Sequence, residues 1–239
     1  MLARAFISSF YQLRNNSLRR VVWLALAGSA ATLFILIMII GIILFGTELT
    51  VFEGLLSFLN PIVDFLMDMI GLTAVLIISW FLFPSISCLV VGFYLEDVAL
   101  AVETENNPGL PQPRVQRKTE IVAVTFKFLA ISLLLNILVF PVYVILFFLG
   151  PLNLLIYYIL NGYLIGREFF ELVAHRRLLP ADAVRLRQRV KYKLFLSGII
   201  ITFMMTLPIV NLIAPVIAVS VMVYLVDDWN KTLVKAQER

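Results

Sequence analysis

Two long segments without charged side chains dominate the first half of the chain. They cover residues 21–46 and residues 71–95. At a rise of about 1.5 Å per residue, each is long enough to cross a hydrocarbon core of roughly 30 Å as a helix. Arginines precede the first segment, as in a signal peptide, but its apolar run exceeds the roughly 7–15 residues of such a peptide. The pattern therefore predicts two membrane-spanning helices.

The apolar runs of the second half are shorter and are interrupted by proline. They cover residues 128–150, 152–166, 194–207 and 212–226. Pro151 and Pro208 each remove a helix hydrogen bond, and runs of about 14 residues reach only about 21 Å. Asn153 and Asn211 follow the two breaks and can satisfy backbone groups freed there, which lipid cannot do. The pattern favours two helical hairpins that penetrate the membrane in part; two spanning hairpins with short external loops are the alternative.

The remaining segments are short and polar. Leu2, Phe6, Phe10 and Leu13 lie near one face of a helix over the first 16 residues, which predicts an interfacial amphipathic helix. Prolines and glycine among polar residues predict a linker further along the chain. We therefore expect a single all-α membrane domain. Its parts are the interfacial helix 1–16, two spanning helices within 17–103, the linker 104–118, the first hairpin 119–175, a basic segment 176–193, and the second hairpin with the tail, 194–239.

The distribution of basic residues predicts the orientation in the membrane. Residues 47–70 contain four acidic residues and no lysine or arginine, so all 19 basic residues lie elsewhere. By the positive-inside rule, residues 47–70 are outside, and both termini, the linker and the basic segment are cytoplasmic. The basic segment is expected to contact anionic membrane lipids. The alternative is that it attracts an anionic substrate.

The composition excludes most other classes of protein. Apolar residues make up 62% of the chain and charged residues 14%, against roughly 45–50% and 25% in an ordinary globular domain. One cysteine and one histidine argue against a disulfide, a cysteine-based zinc site or a histidine-clustered metal site. Phosphate-loop, nucleophile-elbow and dinucleotide-binding motifs are absent from the sequence. We expect no enzymatic activity, no cofactor, no metal and no nucleic-acid partner.

A first candidate site precedes the first long apolar segment, at Ser17, Leu18, Arg19 and Arg20. Ser17 is expected to be the N-cap, which leaves the backbone N–H groups of the next residues free. The helix dipole and two guanidinium groups favour a tetrahedral anion such as sulfate or phosphate there. The alternative is a membrane anchor that contacts lipid headgroups.

A second candidate site lies at the end of the first hairpin. On a helix, Glu168, Glu171 and His175 follow one stripe, and Arg167 lies four residues before Glu171. Glu103 can supply a further partner. Charged residues at a membrane helix face the protein interior or water, so this cluster is a candidate polar interior or ion path. The alternative is an ion-pair network that fastens the hairpin to its neighbours.

Three motifs together resemble a known family. The Gly-Arg-Glu pattern at 166–168, the Pro-x-x-Asn-x-x-x-Pro pattern at 208–215 and the Ser-Leu-Arg-Arg start at 17–20 are similar to the membrane family named after etoposide-induced protein 2.4, in its bacterial branch of CysZ-type sulfate permeases. The resemblance covers most of the chain. It implies uptake of sulfate across the inner membrane for cysteine biosynthesis, by a homo-oligomer. The family's sulfate motif starts with Gly-Leu-Arg, whereas this chain has Ser17 in the place of glycine. A membrane scaffold without transport is the competing interpretation.

Overall fold

The computed structural model describes residues 2–12, 14, 16–45 and 59–237. Within these residues every regular element is a helix, so the predicted all-α class is confirmed. In chain order the elements are α1 (Leu2–Gln12), α2 (Asn16–Phe45), α3 (Asn60–Gly92), α4 (Leu95–Asn106), α5 (Lys118–Ile145), a 3₁₀ helix (Leu146–Leu149), α6 (Pro151–Ala174), α7 (Pro180–Arg189), α8 (Lys191–Thr206), α9 (Pro208–Asn211) and α10 (Ala214–Gln237).

Three segments of the described chain are long and apolar enough to cross a membrane. They are Leu18–Ile39 in α2, Asn60–Ile77 in α3, and Lys118–Leu149, which covers α5 and the 3₁₀ helix. α5 has no buried residue, so its apolar side chains remain available to lipid. These features identify an integral membrane protein, as predicted. Because α5 belongs to the first hairpin, the depth to which the hairpins enter the membrane stays a prediction.

Parts of the predicted segments 47–70 and 104–118 are helical. α3 begins at Asn60, so the end of the predicted external segment 47–70 is helical, while residues 46–58 lie outside the described residues. Pro61 fits the first turn of this helix because no intrahelical bond is lost there. α3 ends at Gly92, and α4 continues to Asn106. The non-helical linker is therefore shorter than predicted and covers residues 107–117.

The chain forms two compact units, one of residues 1–20 and 94–239 and the other of residues 21–93. The core of the first unit lies around α10, where every residue from 214 to 223 is buried. α10 contacts α1, α4 and α6, and α6 packs along α8. The first half of α10, in the second hairpin, is therefore surrounded by other helices of the protein and not by lipid.

α1 divides its apolar side chains between two environments. Ala5 and Phe6 are buried in the protein, while Phe10 is exposed, so the predicted apolar face is only partly exposed. Leu13 lies outside the described residues. On the buried side, the Ser220 hydroxyl of α10 donates a hydrogen bond of 2.9 Å to the Gln12 side chain. α1 is therefore fastened to the core by a buried polar pair as well as by apolar contacts.

The turn of the first hairpin uses its asparagine as expected. Gly150 has φ +32°, a conformation that favours glycine, and it separates the 3₁₀ helix from α6. The Asn153 amide donates to the Tyr143 carbonyl at 3.4 Å, near the point where α5 tightens into the 3₁₀ helix. At the second turn the backbone N–H of Asn211 donates to the Leu207 carbonyl at 2.7 Å. The two turns therefore share their helix–Pro–Asn–helix order. Within the described residues, only the first turn has a hydrogen bond from the amide side chain of its asparagine.

Candidate functional site

The amino end of α2 differs in register from the prediction. α2 begins at Asn16, so Ser17 lies in the first helical turn, and the expectation that it is the N-cap is wrong. Among the described residues, the backbone N–H groups without an intrahelical acceptor are those of residues 16–18. The Leu18 side chain is 1% exposed and packs in the interior, so only its backbone can meet a ligand. Arg19 and Arg20 are exposed.

The two exposed arginines have no protein partner in the described part of the chain. Ion pairs and hydrogen bonds occur at the guanidinium groups of other arginines, and none involves Arg19 or Arg20. A helix start carries a partial positive charge, to which these two side chains add full charges. The amino end of α2 can therefore accept an anion, whether it is free in solution or belongs to a lipid headgroup.

The second candidate site contains one carboxylate between two guanidinium groups. Arg167 of α6 is 3% exposed, and its Nε donates to Oε1 of Glu171 at 2.8 Å, which is the pair that their spacing predicted. Arg187 of α7 donates to the same oxygen. The Arg167 guanidinium also lies 5.7 Å from the ring centroid of Phe128 in α5. The cluster joins three helices and has an excess of one positive charge.

Glu103 belongs to a separate cluster. It is 4% exposed in α4 and accepts hydrogen bonds from Arg176 Nη2 at 3.3 Å and from Arg177 Nη2 at 2.6 Å. The expected grouping of Glu103 with Arg167 and Glu171 is therefore not what the structure shows, because the residues that follow α6 occupy its carboxylate. This cluster too has one carboxylate and two guanidinium groups.

The linker is fastened to the end of α6. Arg177 donates to the Pro111 carbonyl, and the backbone N–H of Arg114 donates to the Arg176 carbonyl at 2.9 Å. The Arg114 guanidinium pairs with Glu120 at the start of α5, and this hydrogen bond raises the pKa of Arg114 above its ordinary value. The linker between α4 and α5 is therefore held at several points, which its sequence did not indicate.

A cavity of about 270 Å³ lies between α4, α5 and α6. Glu168, Glu171 and His175 all line it, which places the three residues on one stripe, as the spacing predicted. Glu96 of α4 lines it as well. Burial lowers the pKa of the His175 imidazole below its ordinary value, although the nearby carboxylate of Glu171 opposes this effect. No group of three or more potential ligands that could hold a metal ion occurs in the described residues.

Sequence reasoning missed the role of three arginines. Arg176, Arg177 and Arg187 were expected to face lipid headgroups, yet they pair with carboxylates 73, 74 and 16 residues away. A local sign that Arg187 faces the protein is present in α7, where the apolar residues Ala183 and Leu186 are buried. Their spacing of three residues indicates an inner face of this basic helix.

Comparison with known proteins gives a family. The family described as Sulfate transporter CysZ/Etoposide-induced protein 2.4 matches residues 5–215, which is most of the chain. No curated protein matches the sequence, and no solved structure matches it. The matched range contains the amino end of α2, both arginine–carboxylate clusters and both hairpin turns. The chain belongs to the Sulfate transporter CysZ/Etoposide-induced protein 2.4 family.

Proposed function

We propose that this chain mediates uptake of inorganic sulfate across the bacterial inner membrane, for cysteine biosynthesis. Membership in the family supports a membrane protein of this kind. The observation that carries the proposal is the pair of exposed guanidinium groups of Arg19 and Arg20, which have no partner among the described residues and lie at the amino end of a helix long enough to span. In this proposal Ser17 and Leu18 supply backbone N–H groups, and the two arginines supply forked donors to the sulfate oxygens.

In the predicted orientation this site lies at the cytoplasmic end of α2. The positive-inside rule predicts cytoplasmic termini, a cytoplasmic linker and a cytoplasmic basic segment. Sulfate taken up from outside would therefore reach Arg19 and Arg20 after crossing the hydrocarbon region. Anion capture here lowers the free energy of the dianion at the point where it leaves the membrane.

The two arginine–carboxylate clusters support a polar interior suited to an anion. Arg167 and Arg187 flank Glu171, and two further arginines flank Glu103, so each cluster keeps one positive charge beyond its carboxylate. A dianion needs such compensation to leave water. We propose that Arg167, Glu171 and Glu103 organise the interior path, together with Glu168, which lies on the same helix face as Glu171. We further propose that the protein works as a homo-oligomer in contact with anionic lipids.

Uptake of radiolabelled sulfate into liposomes that carry only this protein tests the proposal. We expect saturable uptake by the wild-type protein and its loss in the double variant Arg19→Ala/Arg20→Ala. The double variant Arg4→Ala/Arg14→Ala is the matched control, because both residues are exposed near the amino terminus and lie outside the proposed site. Uptake no faster than that of empty liposomes would contradict transport and favour a membrane scaffold.

A further inference from the structure

The cavity between α4, α5 and α6 is lined by hydrogen-bond acceptors that the protein leaves unused. In the part of the chain that the structure describes, the carboxylates of Glu96 and Glu168 have neither an ion pair nor a hydrogen bond. Glu171, in contrast, is occupied by two arginines. Both residues are exposed, so the cavity is open to solvent on this side and presents two free carboxylates on two different helices.

A buried histidine adds an independent sign of a missing ligand. His175 lines the same cavity and is 7% exposed, and its buried Nδ1 atom has no hydrogen-bond partner among the residues that the structure describes. A buried polar atom without a partner is costly, so such atoms in native proteins call for a specific explanation. A donor placed in the cavity can pair with Nδ1 in the tautomer that carries its proton on Nε2.

The charge of the cavity favours a cation. Its three carboxylates, Glu96, Glu168 and Glu171, face the two guanidinium groups that pair with Glu171, which leaves one negative charge when His175 is neutral. This sign is opposite to that of the amino end of α2. The cavity itself therefore favours a group that carries positive charge and donates hydrogen bonds.

The shape of the site favours an organic cation over a metal ion. The carboxylates do not converge, since no set of three potential ligands that could hold a metal occurs in the described residues. Between them lie apolar side chains, Ile121, Val124 and Leu172. The volume of about 270 Å³ is close to the lower end of the roughly 300–1,000 Å³ of small-molecule sites. A ligand with an apolar body and separated N–H donors satisfies all three features.

We propose that this cavity binds a small aliphatic ammonium ion. Its N–H groups donate to Glu168 and Glu96, with His175 Nδ1 as a further acceptor. Its carbon chain lies against the apolar wall that α5 supplies. This site shares Glu168 and Glu171 with the proposed interior path but uses none of the residues at the amino end of α2. Its occupation can be measured whether or not the protein transports sulfate.

Calorimetric titration of the purified full-length protein with 1,4-diaminobutane, which is doubly protonated at neutral pH, tests the proposal. We expect saturable binding to the wild-type protein and at least about tenfold weaker binding to Glu168→Gln, because one charge-assisted pair is lost. Asp97→Asn is the matched control, since Asp97 is an exposed acidic residue beside Glu96 that does not line the cavity. Its affinity should equal that of the wild-type protein.

Three results would overturn the proposal. The first is the absence of saturable binding at millimolar diamine. The second is equal affinity in Glu168→Gln and in the wild-type protein, with Glu96→Gln as the second variant if Glu168→Gln does not fold. The third is equal binding of 1,4-butanediol, which has the same carbon chain without the charges and would indicate apolar contact alone.

Discussion

Gly198 lies directly against Gly162 where α8 crosses α6. If residue 198 had a Cβ atom, it would overlap the carbonyl oxygen of Gly162. A Cβ atom at residue 166 would lie only 3.1 Å from the Cα atom of Gly198. The two helices therefore approach with backbone against backbone. Only glycine permits this distance, because any side chain would have to displace a main-chain atom of the facing helix.

Replacement of Gly198 by alanine should destabilise the protein strongly. Overpacking costs about 1–3 kcal/mol, and we expect the upper end of this range because the atom that must move belongs to the backbone. Thermal unfolding of the detergent-purified protein measures the effect. Gly109→Ala is the control, since a Cβ there meets nothing within 4 Å. Equal unfolding temperatures of the two variants would contradict the packing argument.

Replacement of Glu171 by glutamine should also destabilise the protein. It leaves the buried Arg167 guanidinium without its carboxylate, and breaking a buried pair costs about 3–5 kcal/mol. Asp182→Asn breaks the exposed pair with Arg185, in which the atoms are 3.5 Å apart, and should cost at most about 1 kcal/mol. Denaturant unfolding of both variants compares them. A similar loss of stability in the two would show that the Glu171 cluster behaves as a surface pair.

Stability should decrease as the pH falls below about 6.5, the ordinary pKa of histidine. Burial lowers the pKa of His175, so in this range the unfolded chain takes up a proton that the folded protein does not. The nearby guanidinium groups of Arg114 and Arg187 act in the same direction, while the carboxylates of Glu171 and Glu120 oppose it. The loss of stability is complete at pH values below the lowered pKa of His175 in the folded protein.

Thermal unfolding across this pH range measures the effect. The chain has one histidine, so His175→Gln should remove the part of the slope that lies just below pH 6.5. A slope that persists unchanged in this variant would assign the pH dependence to carboxylates instead.

Loss of either Arg19 or Arg20 should weaken sulfate binding by up to about fivefold. A charge pair at an exposed site contributes at most about 1 kcal/mol, and about 1.4 kcal/mol corresponds to a factor of ten. Lysine at either position should restore only part of the affinity, because it lacks the forked geometry. Both side chains are exposed, so their removal should leave the fold intact. If calorimetric titration shows unchanged sulfate affinity in the double alanine variant, these arginines act only as membrane anchors.

Residues 47–70 should be accessible from outside the cell, and the basic segment from the cytoplasm. Cysteine labelling measures this in a Cys88→Ser background, which removes the single native cysteine. Glu53→Cys, in the part of the chain that the structure does not describe, should react with an impermeant reagent added outside. Asp182→Cys in α7 should react only after the membrane is opened. Labelling of Glu53→Cys from the cytoplasmic side alone would reverse the orientation.

Local pattern was sufficient for the class of the protein and for its helix breaks. Uncharged runs of 25 residues or more indicate spanning helices whatever surrounds them, because the thickness of the bilayer sets the required length. Pro151 and Pro208 mark the two breaks, and the structure places helix starts at both. Pro141 lies inside α5, so a proline within an apolar run does not always end the helix. The contact between Arg167 and Glu171 also follows from spacing alone, since residues four apart share a helix face.

Tertiary structure decided which apolar helices face protein and which remain exposed. α5 and the first half of α10 are both apolar, yet α5 has no buried residue and residues 214–223 are all buried. Hydropathy measures the preference to leave water and does not distinguish lipid from a protein core. Tertiary structure likewise brought Arg187 to Glu171 and Arg176 to Glu103. Such pairs depend on how helices distant in sequence pack together, and no local period in the chain encodes that arrangement.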